Sequence, residues 1–283
     1  MTQIFKTTLL LGLLTGIFMG VGYALNGQSG ALMALFFAGI TNFGMFWFSD
    51  KIVLKMQGAK PLDPAQHPEI VRMVQELTTA DNLPMPKLYI VETPVPNAFA
   101  TGRSPHHAAV AVHTGIIDLL TYDELKAVLG HELGHVKNRD MLVSTVAATL
   151  AGAVSFLAQM AFFMGGNDRE GGINPIAAIA MVILAPLAAT MVQMAVSRSR
   201  EFLADEHGAH LLGTGKDLAS ALQKLDNFKQ HAPKMQPTPT QQATAHLMFA
   251  NMFSPVGFAS LFSTHPRTAD RVARLNRISE KIR

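Results

Sequence analysis

No cysteine occurs among the 283 residues, which excludes disulfides and thiolate metal ligands, so any metal site must be built from His, Asp or Glu. Charge is scarce as well. Only 15% of the residues are charged and 49% are apolar, against ~25% charged in an ordinary soluble domain, and the mean hydropathy is positive. That deficit indicates a membrane protein. The net charge is +3 at pH 7, and no basic run interleaves with aromatics, which gives a nucleic-acid partner no support. There is no internal repeat. The low-complexity stretch "HAPKMQPTPTQQATAH" at 231–246 reads as a mobile loop.

Long apolar runs are present, in two pairs. Residues 4–25 carry one charge, Lys6, and residues 31–48 carry none; a span needs ~20 mostly apolar residues. The first run has no small-x-small cleavage site and a second run follows at once, so it reads as a retained span rather than a signal peptide. Residues 142–164 and 173–196 form the second pair, joined by "GGNDREGG". Two long buried helices of a soluble core are the competing explanation, but interior helices are usually shorter. Lys51, Lys55, Lys60, Lys137, Arg139, Arg198 and Arg200 flank one end of the spans, whereas the opposite turns hold only Arg169. By the positive-inside rule both termini and the polar segments face the cytoplasm. Four spans return the chain to its starting side, so segments 51–141 and 197–283 can meet. The expected organisation is therefore transmembrane helices 1 and 2 in 1–50, a cytoplasmic segment in 51–141, transmembrane helices 3 and 4 in 142–196, and a second cytoplasmic segment in 197–283.

The first polar segment reads as a small mixed domain. Ile70, Val71, Val74 and Leu77 share one helical face, and "LPMPKLYIVE", "NAFATG" and "AAVAVHTGII" are short extended candidates, the last two separated by the turn-like "RSPHH". Thr121 followed by Glu124 is a capping-box pattern, and Leu125, Val128, Leu129 and Leu133 supply the packing stripe of the helix that it starts. That helix carries "HELGH". His131 and His135 project from one face a turn apart, so both imidazoles can reach one ion at ~2.0–2.1 Å. Glu132 is rotated by ~100° and stands beside the ion as a general base for a water that the metal acidifies. Gly134 admits close approach, most simply of a neighbouring backbone. The string arises by chance in about one shuffled chain in a hundred, so the motif is specific.

A third ligand is offered by "VSRSREFLADEHGAH". Arg198, Glu201 and Asp205 lie at i, i+3 and i+7, and Glu201 is the natural ligand, with Glu206, His207 and His210 as rivals on the same helix. Two histidines and a glutamate leave a fourth tetrahedral position for water, as a catalytic zinc site requires. Asp205 is placed to accept the free ring N–H of a ligand histidine.

H-E-x-x-H joined to Ser197-Arg198-Ser199-Arg200-Glu201-Phe202-Leu203-Ala204-Asp205 resembles the membrane zinc metallopeptidases that include the HtpX heat-shock proteases and the CAAX prenyl proteases. The chain length, the two span pairs and "PNAFATG" bring it nearest the HtpX group. The resemblance implies a mainly α membrane protein, with four transmembrane helices plus an α+β thermolysin-like zincin catalytic domain holding a small sheet. It implies one Zn2+ on His131, His135 and Glu201, with Glu132 as base. It also implies a multi-pass enzyme of a bacterial-type inner membrane that cleaves misfolded or damaged membrane proteins, and an edge strand over Asn97, Ala98, Phe99 and Ala100 that takes an extended substrate. Near the C-terminus, His265 and Arg271 precede the packing stripe of Val272, Leu275 and Ile278. They either decorate an amphipathic helix or, as the resemblance suggests, His265 stabilises the oxyanion and Arg271 pairs with an acid such as Asp205. His106 and His107 read as solvated turn.

Two other classes compete with an endopeptidase. A scaffold that uses zinc only to staple its cytoplasmic segments conflicts with the open coordination position. A transporter conflicts with spans that bury no ionisable residue. Within the enzyme class, a prenylated tail is the competing substrate, but four short spans give little material for a large enclosed chamber.

Overall fold

The computed structural model describes residues 3–142, 144–146, 198–231, 249 and 266–282. The expected third span beyond residue 146, the whole of the fourth, the loop at 165–172, most of the low-complexity stretch and His265 lie outside these residues.

The first two apolar runs form one helical stretch, α1 (Gln3–Met56), broken where Asn26 and Gly27 leave helical geometry, with Gly27 at φ 54°. Glycine enters that left-handed region without steric cost. The break falls in the turn expected between the spans. The amide of Asn42 donates to the Leu11 carbonyl (3.3 Å) and to Thr15 Oγ1 (2.8 Å), so the two arms lie side by side and antiparallel. Among the described residues no single helix is long and apolar enough to cross a membrane, but Asn26–Gly44 and Phe46–Met56, bent by 61°, meet that test together. Leu32, Phe36, Phe37, Ile40, Phe43 and Trp47 are all exposed on the second arm.

Beyond α1 the chain forms a four-stranded mixed sheet, ordered β1-β2-β4-β3, from β1 (Lys60–Pro61), β2 (Lys87–Val91), β3 (Ala98–Gly102) and β4 (Ala108–His113). β2 and β4 are parallel, while β1 pairs antiparallel with β2 and β3 with β4. The three expected strands are present. The extended reading of "HTGII" is not: α3 (Thr114–Leu119) starts there. Thr114 Oγ1 donates to the Thr93 carbonyl at 2.9 Å, and a Cβ at Gly115 would lie 2.3 Å from the Pro94 carbonyl oxygen. The chain must turn at that contact.

One face of the sheet packs on the end of α1, with Val53 and Leu54 against Phe99, Ala109 and Ala111. The other face and the main core are covered by α2 (Pro68–Ala80), α4 (Tyr122–Lys137), α5 (Arg198–Leu212), α6 (Lys216–His231) and α7 (Thr268–Ile282). α2 buries Ile70, Val74 and Leu77 as expected, with Met73 in place of the half-buried Val71. The capping box of α4 is complete, with the Thr121 N–H on Glu124 Oε2 (2.8 Å) and the Glu124 N–H on Thr121 Oγ1 (3.4 Å). Glu124 also accepts from Ser220 and Lys224 of α6, each at 2.7 Å, so the cap of the motif helix doubles as a tertiary joint. α6 was not anticipated, although Leu218, Leu222 and Leu225 repeat at helical spacing.

Candidate metal centre

α4 and α5 cross where both helices are nearly bare. A Cβ on Gly134 would lie 3.2 Å from the Ala204 Cα, and one on Gly208 would lie 3.1 Å from the His131 backbone nitrogen. This small-residue contact brings the "HELGH" face against the face of α5 that holds Glu201 and Asp205. Leu125, Val128, Leu129 and Leu133 are buried beneath it.

His131, His135 and Glu201 present ligand atoms toward one point. His131 Nε2 lies 3.1 Å from His135 Nε2 and 3.7 Å from Glu201 Oε2, and His135 Nε2 lies 3.5 Å from Glu201 Oε1. Ligands ~2.0–2.1 Å from an ion at tetrahedral angles stand ~3.3 Å apart, so the trio fits a zinc-sized cation. Both histidines turn their Nε2 inward because their Nδ1 atoms face carboxylates: His131 Nδ1 lies 2.9 Å from Asp205 Oδ1, and His135 Nδ1 lies 3.4 Å from Asp140 Oδ2. Such partners set ring tilt and tautomer.

The charges suit a cation. Burial depresses the pKa of His131 to about 4, against the pull of Asp205, which keeps the imidazole neutral as a ligand must be. His135 is driven the other way, to about 9: burial opposes its charge, but Asp140, Glu201 and Glu132 outweigh it. Three carboxylates therefore favour positive charge at that ring. Glu132 is raised to about 7 by burial, with Glu201 adding to the shift and His135 opposing it. Its Oε2 accepts the Ala100 N–H at 2.9 Å, which ties it to β3 beside the ligand trio.

Arg271, 2% exposed, grips Asp205 with two bonds, Nε to Oδ2 at 2.8 Å and Nη2 to Oδ1 at 2.6 Å. Burial works against the carboxylate, yet Arg271 and His131 hold Asp205 at about 2. Arg271 Nη1 also comes within 3.8 Å of Glu201 Oε2.

Of the remaining expected residues, Arg198 is exposed and stays out of the cluster: it shares the face of Asp205 but lies ~10 Å up the helix axis. His207 is engaged elsewhere, 2.8 Å from Asp81 Oδ2, and His210 is exposed. Ala98, Phe99 and Ala100 fall on β3, an edge of the sheet, and Asn97 just precedes it.

Three residues near the centre were missed by sequence reasoning. Asp140 is returned to His135 by the helix end: Arg139 takes φ 57°, its N–H reaches the Val136 carbonyl (3.2 Å), and the Asp140 N–H reaches the His135 carbonyl (3.0 Å). That is a Schellman closure with arginine at the position usually given to glycine; an acid two residues beyond a helix end was the available signal. Arg200 is buried with its Nε 3.9 Å from Asp140 Oδ1. Phe249 sets its ring edge-on to His131 at 4.9 Å and under the Arg271 guanidinium at 4.9 Å, while its N–H donates to Asn97 Oδ1 (2.9 Å). Nothing in the sequence immediately around it marks that phenylalanine.

Residues 64–279 match Peptidase family M48. A protein named protease HtpX homolog from a Sulfurihydrogenibium species is 48% identical over 287 positions, covering 98% of this chain and 96% of its own. One of the same name from Ralstonia pickettii is 49% identical over 276, covering 97% and 96%. The crystal structure of S. mikatae Ste24p is similar in fold, with a TM-score of 0.51 at 17% identity; the likeness covers 93% of this chain and 62% of that one.

Proposed function

Because the chain belongs to peptidase family M48 and is a metalloprotease, we propose that it is a membrane-integrated zinc endopeptidase in which His131, His135 and Glu201 hold the ion. The observation that carries this reading is the spacing of the ligand groups: the two Nε2 atoms are 3.1 Å apart, and the Glu201 carboxylate comes within 3.5 Å of His135 Nε2 through Oε1 and 3.7 Å of His131 Nε2 through Oε2. Held by His131, His135 and Glu201, a zinc ion would supply Lewis acidity and lower the pKa of a water toward ~7.

This chain's own groups do the rest. Glu132 takes the proton of the attacking water and returns it to the leaving amine. The Ala100 N–H fixes the carboxylate for both transfers. Asp205 and Asp140 hold the two histidine rings, and Arg271 neutralises Asp205 so that its charge does not overbind the ring proton. His265 is a candidate donor to the developing oxyanion. The His113 N–H donates to the Asn97 carbonyl, so Asn97 faces β4 and the polar groups of Ala98 and Ala100 point to the free edge. With the Ala100 N–H engaged by Glu132, Ala98 N–H and the carbonyls of Ala98 and Ala100 are the groups that would pair with an extended substrate.

The relatives' name supports a protease acting on proteins; we further propose that its substrates are membrane proteins, misfolded or damaged ones in particular, and that it is a multi-pass protein of a bacterial inner membrane with its catalytic segments and both termini in the cytoplasm. The exposed apolar arm of α1 and the basic residues Lys51 and Lys55 at its end support that placement.

The test uses full-length protein in detergent with a casein-like unfolded substrate. Wild type should carry one zinc per chain and lose cleavage on chelation, Glu201→Gln should lose most of the zinc, and His207→Ala should keep it. Normal zinc and cleavage in Glu201→Gln would remove Glu201 from the ligand set. Reporters placed after Arg283 and near Lys60 should be cytoplasmic and one within 165–172 exported; opposite sides for the first two would break the topology.

A further inference from the structure

A second cleft lies between α5 and α7, on faces that the metal centre does not use. Glu206 and His210 of α5 and Arg274, Arg277, Ile278 and Lys281 of α7 enclose about 260 Å³. Three cations face one carboxylate, and that carboxylate is already engaged, with Arg274 Nη2 2.7 Å from Glu206 Oε2. The Arg274 guanidinium also sits over the Phe202 ring at 5.1 Å, which holds its plane in place. Among the described residues Arg277 spends only Nε, on the Ala273 carbonyl at 3.3 Å, leaving its other four N–H groups for a ligand. Lys281 and His210 make no hydrogen bond or ion pair with the described residues.

We propose that this cleft is a binding site for a compact anion carrying phosphate groups. Two guanidinium forks and one ammonium match the several oxygens of a phosphate chain better than a single carboxylate. The volume admits a di- or triphosphate-sized group, and Ile278 gives one apolar wall for whatever the phosphate is attached to. Basic residues near a helix C-terminus also complement the helix dipole, and that suffices for Lys281 in the last turn. It does not account for Arg274 and Arg277, which lie further back. The same dipoles oppose an anion, so its affinity must come from these side chains and must vanish with them.

The position gives the site a consequence. Along the α5–α7 seam the Arg274–Glu206 pair follows directly on the Arg271–Asp205 pair, and α5 also carries Glu201. All three cations are on α7, so an anion bound there competes with Glu206 of α5 for Arg274 and acts on the seam on which the metal centre is built; this consequence rests on the proposed zinc reading, whereas the binding itself does not.

The experiment measures binding of inorganic pyrophosphate, and separately of glycerophosphoglycerol as a soluble lipid headgroup, to the full-length protein in nonionic detergent at low salt, by calorimetry and thermal unfolding. Wild type should bind at least one of them. The double variant Arg277→Glu/Lys281→Glu should lose at least ~10-fold in affinity, and Glu206→Gln, which frees Arg274 and removes the opposing charge, should bind more tightly. Chelation of the zinc by pyrophosphate acts on all three proteins alike, so the differences read the cleft. Binding of pyrophosphate alone assigns a soluble ligand and binding of the headgroup alone a lipid. No binding of either, equal affinity in the double variant, or weaker binding in Glu206→Gln would overturn the proposal. A zinc-free protein that still binds would leave the site standing without the metal reading.

Discussion

Gly134 and Ala204 meet so closely that a methyl group on Gly134 would stand 3.2 Å from the Ala204 Cα and 3.3 Å from His207 Cδ2. The partner atom is backbone and cannot swing aside. Gly134→Ala should therefore push α5 off α4, costing ~1–3 kcal/mol of overpacking against ~1 kcal/mol regained in helix propensity. Since Glu201 lies one turn before Ala204, metal affinity should fall with stability, measured by zinc titration beside thermal unfolding. Unchanged zinc binding would mean that the crossing does not set the ligand geometry.

Glu132→Gln keeps size and helix propensity while removing the proton acceptor. Zinc content and melting temperature should stay close to wild type, and turnover should fall by at least ~10²–10⁴. Cleavage at the wild-type rate by the zinc-loaded variant would place the base elsewhere.

Asp140 and Asp205 each hold one ligand histidine, so Asp140→Asn and Asp205→Ala should each weaken zinc binding or activity by ~10–100-fold. Asp205→Ala should also be the more destabilising, because it strands the buried guanidinium of Arg271, at a cost of ~3–5 kcal/mol. Removing both partners in Asp205→Ala/Arg271→Met should recover part of that stability and none of the zinc affinity.

Arg139 occupies a left-handed position with φ 57°, where a side chain is strained and glycine is not. Arg139→Gly should raise stability by ~0.5–1 kcal/mol with no loss of zinc affinity, since the backbone bonds that aim Asp140 remain. A loss of affinity would show that the Arg139 side chain itself serves the site.

His113 is buried on β4, with Nδ1 3.0 Å from the Val95 carbonyl and its ring edge-on to Phe99. Burial lowers its pKa to about 4, the Val95 bond opposing. Between about 6.5, where the unfolded imidazole titrates, and about 4, only the unfolded chain takes up the proton. Stability should therefore fall as pH drops through that window, by at most ~1.4 kcal/mol per pH unit. His113→Gln should show a shallower pH dependence of the melting temperature there; identical slopes would mean that another group carries it.

Local patterns in the sequence were enough for much of the fold. The Thr121–Glu124 box, the apolar stripe of α4, the i, i+4 spacing of His131 and His135 and the strand runs are short-range, and they hold because capping, helical periodicity and strand alternation act within a few residues. Gly134 could be read as a point of close approach for the same reason. The short helix α3 could not, since it depends on Gly115 backing onto Pro94 across the fold.

What the sequence by itself determined is the class of chemistry: without cysteine, two histidines a turn apart and acids on a later helix leave a His/Glu metal site as the economical arrangement, and the charge-poor runs call for a membrane. Only the tertiary structure decided which groups come together there. Glu201 rather than His207 reaches the histidines because the Gly134–Ala204 crossing fixes the rotation of α5, and Asp81 takes His207 away. Asp140 enters through a reversed helix end, and Arg271 and Phe249 arrive from separate parts of the chain. The contacts of Arg271 and Phe249 join residues 22 to 152 positions apart, and no local propensity encodes them, because their energy comes from burying charge and ring surfaces together once the helices have docked.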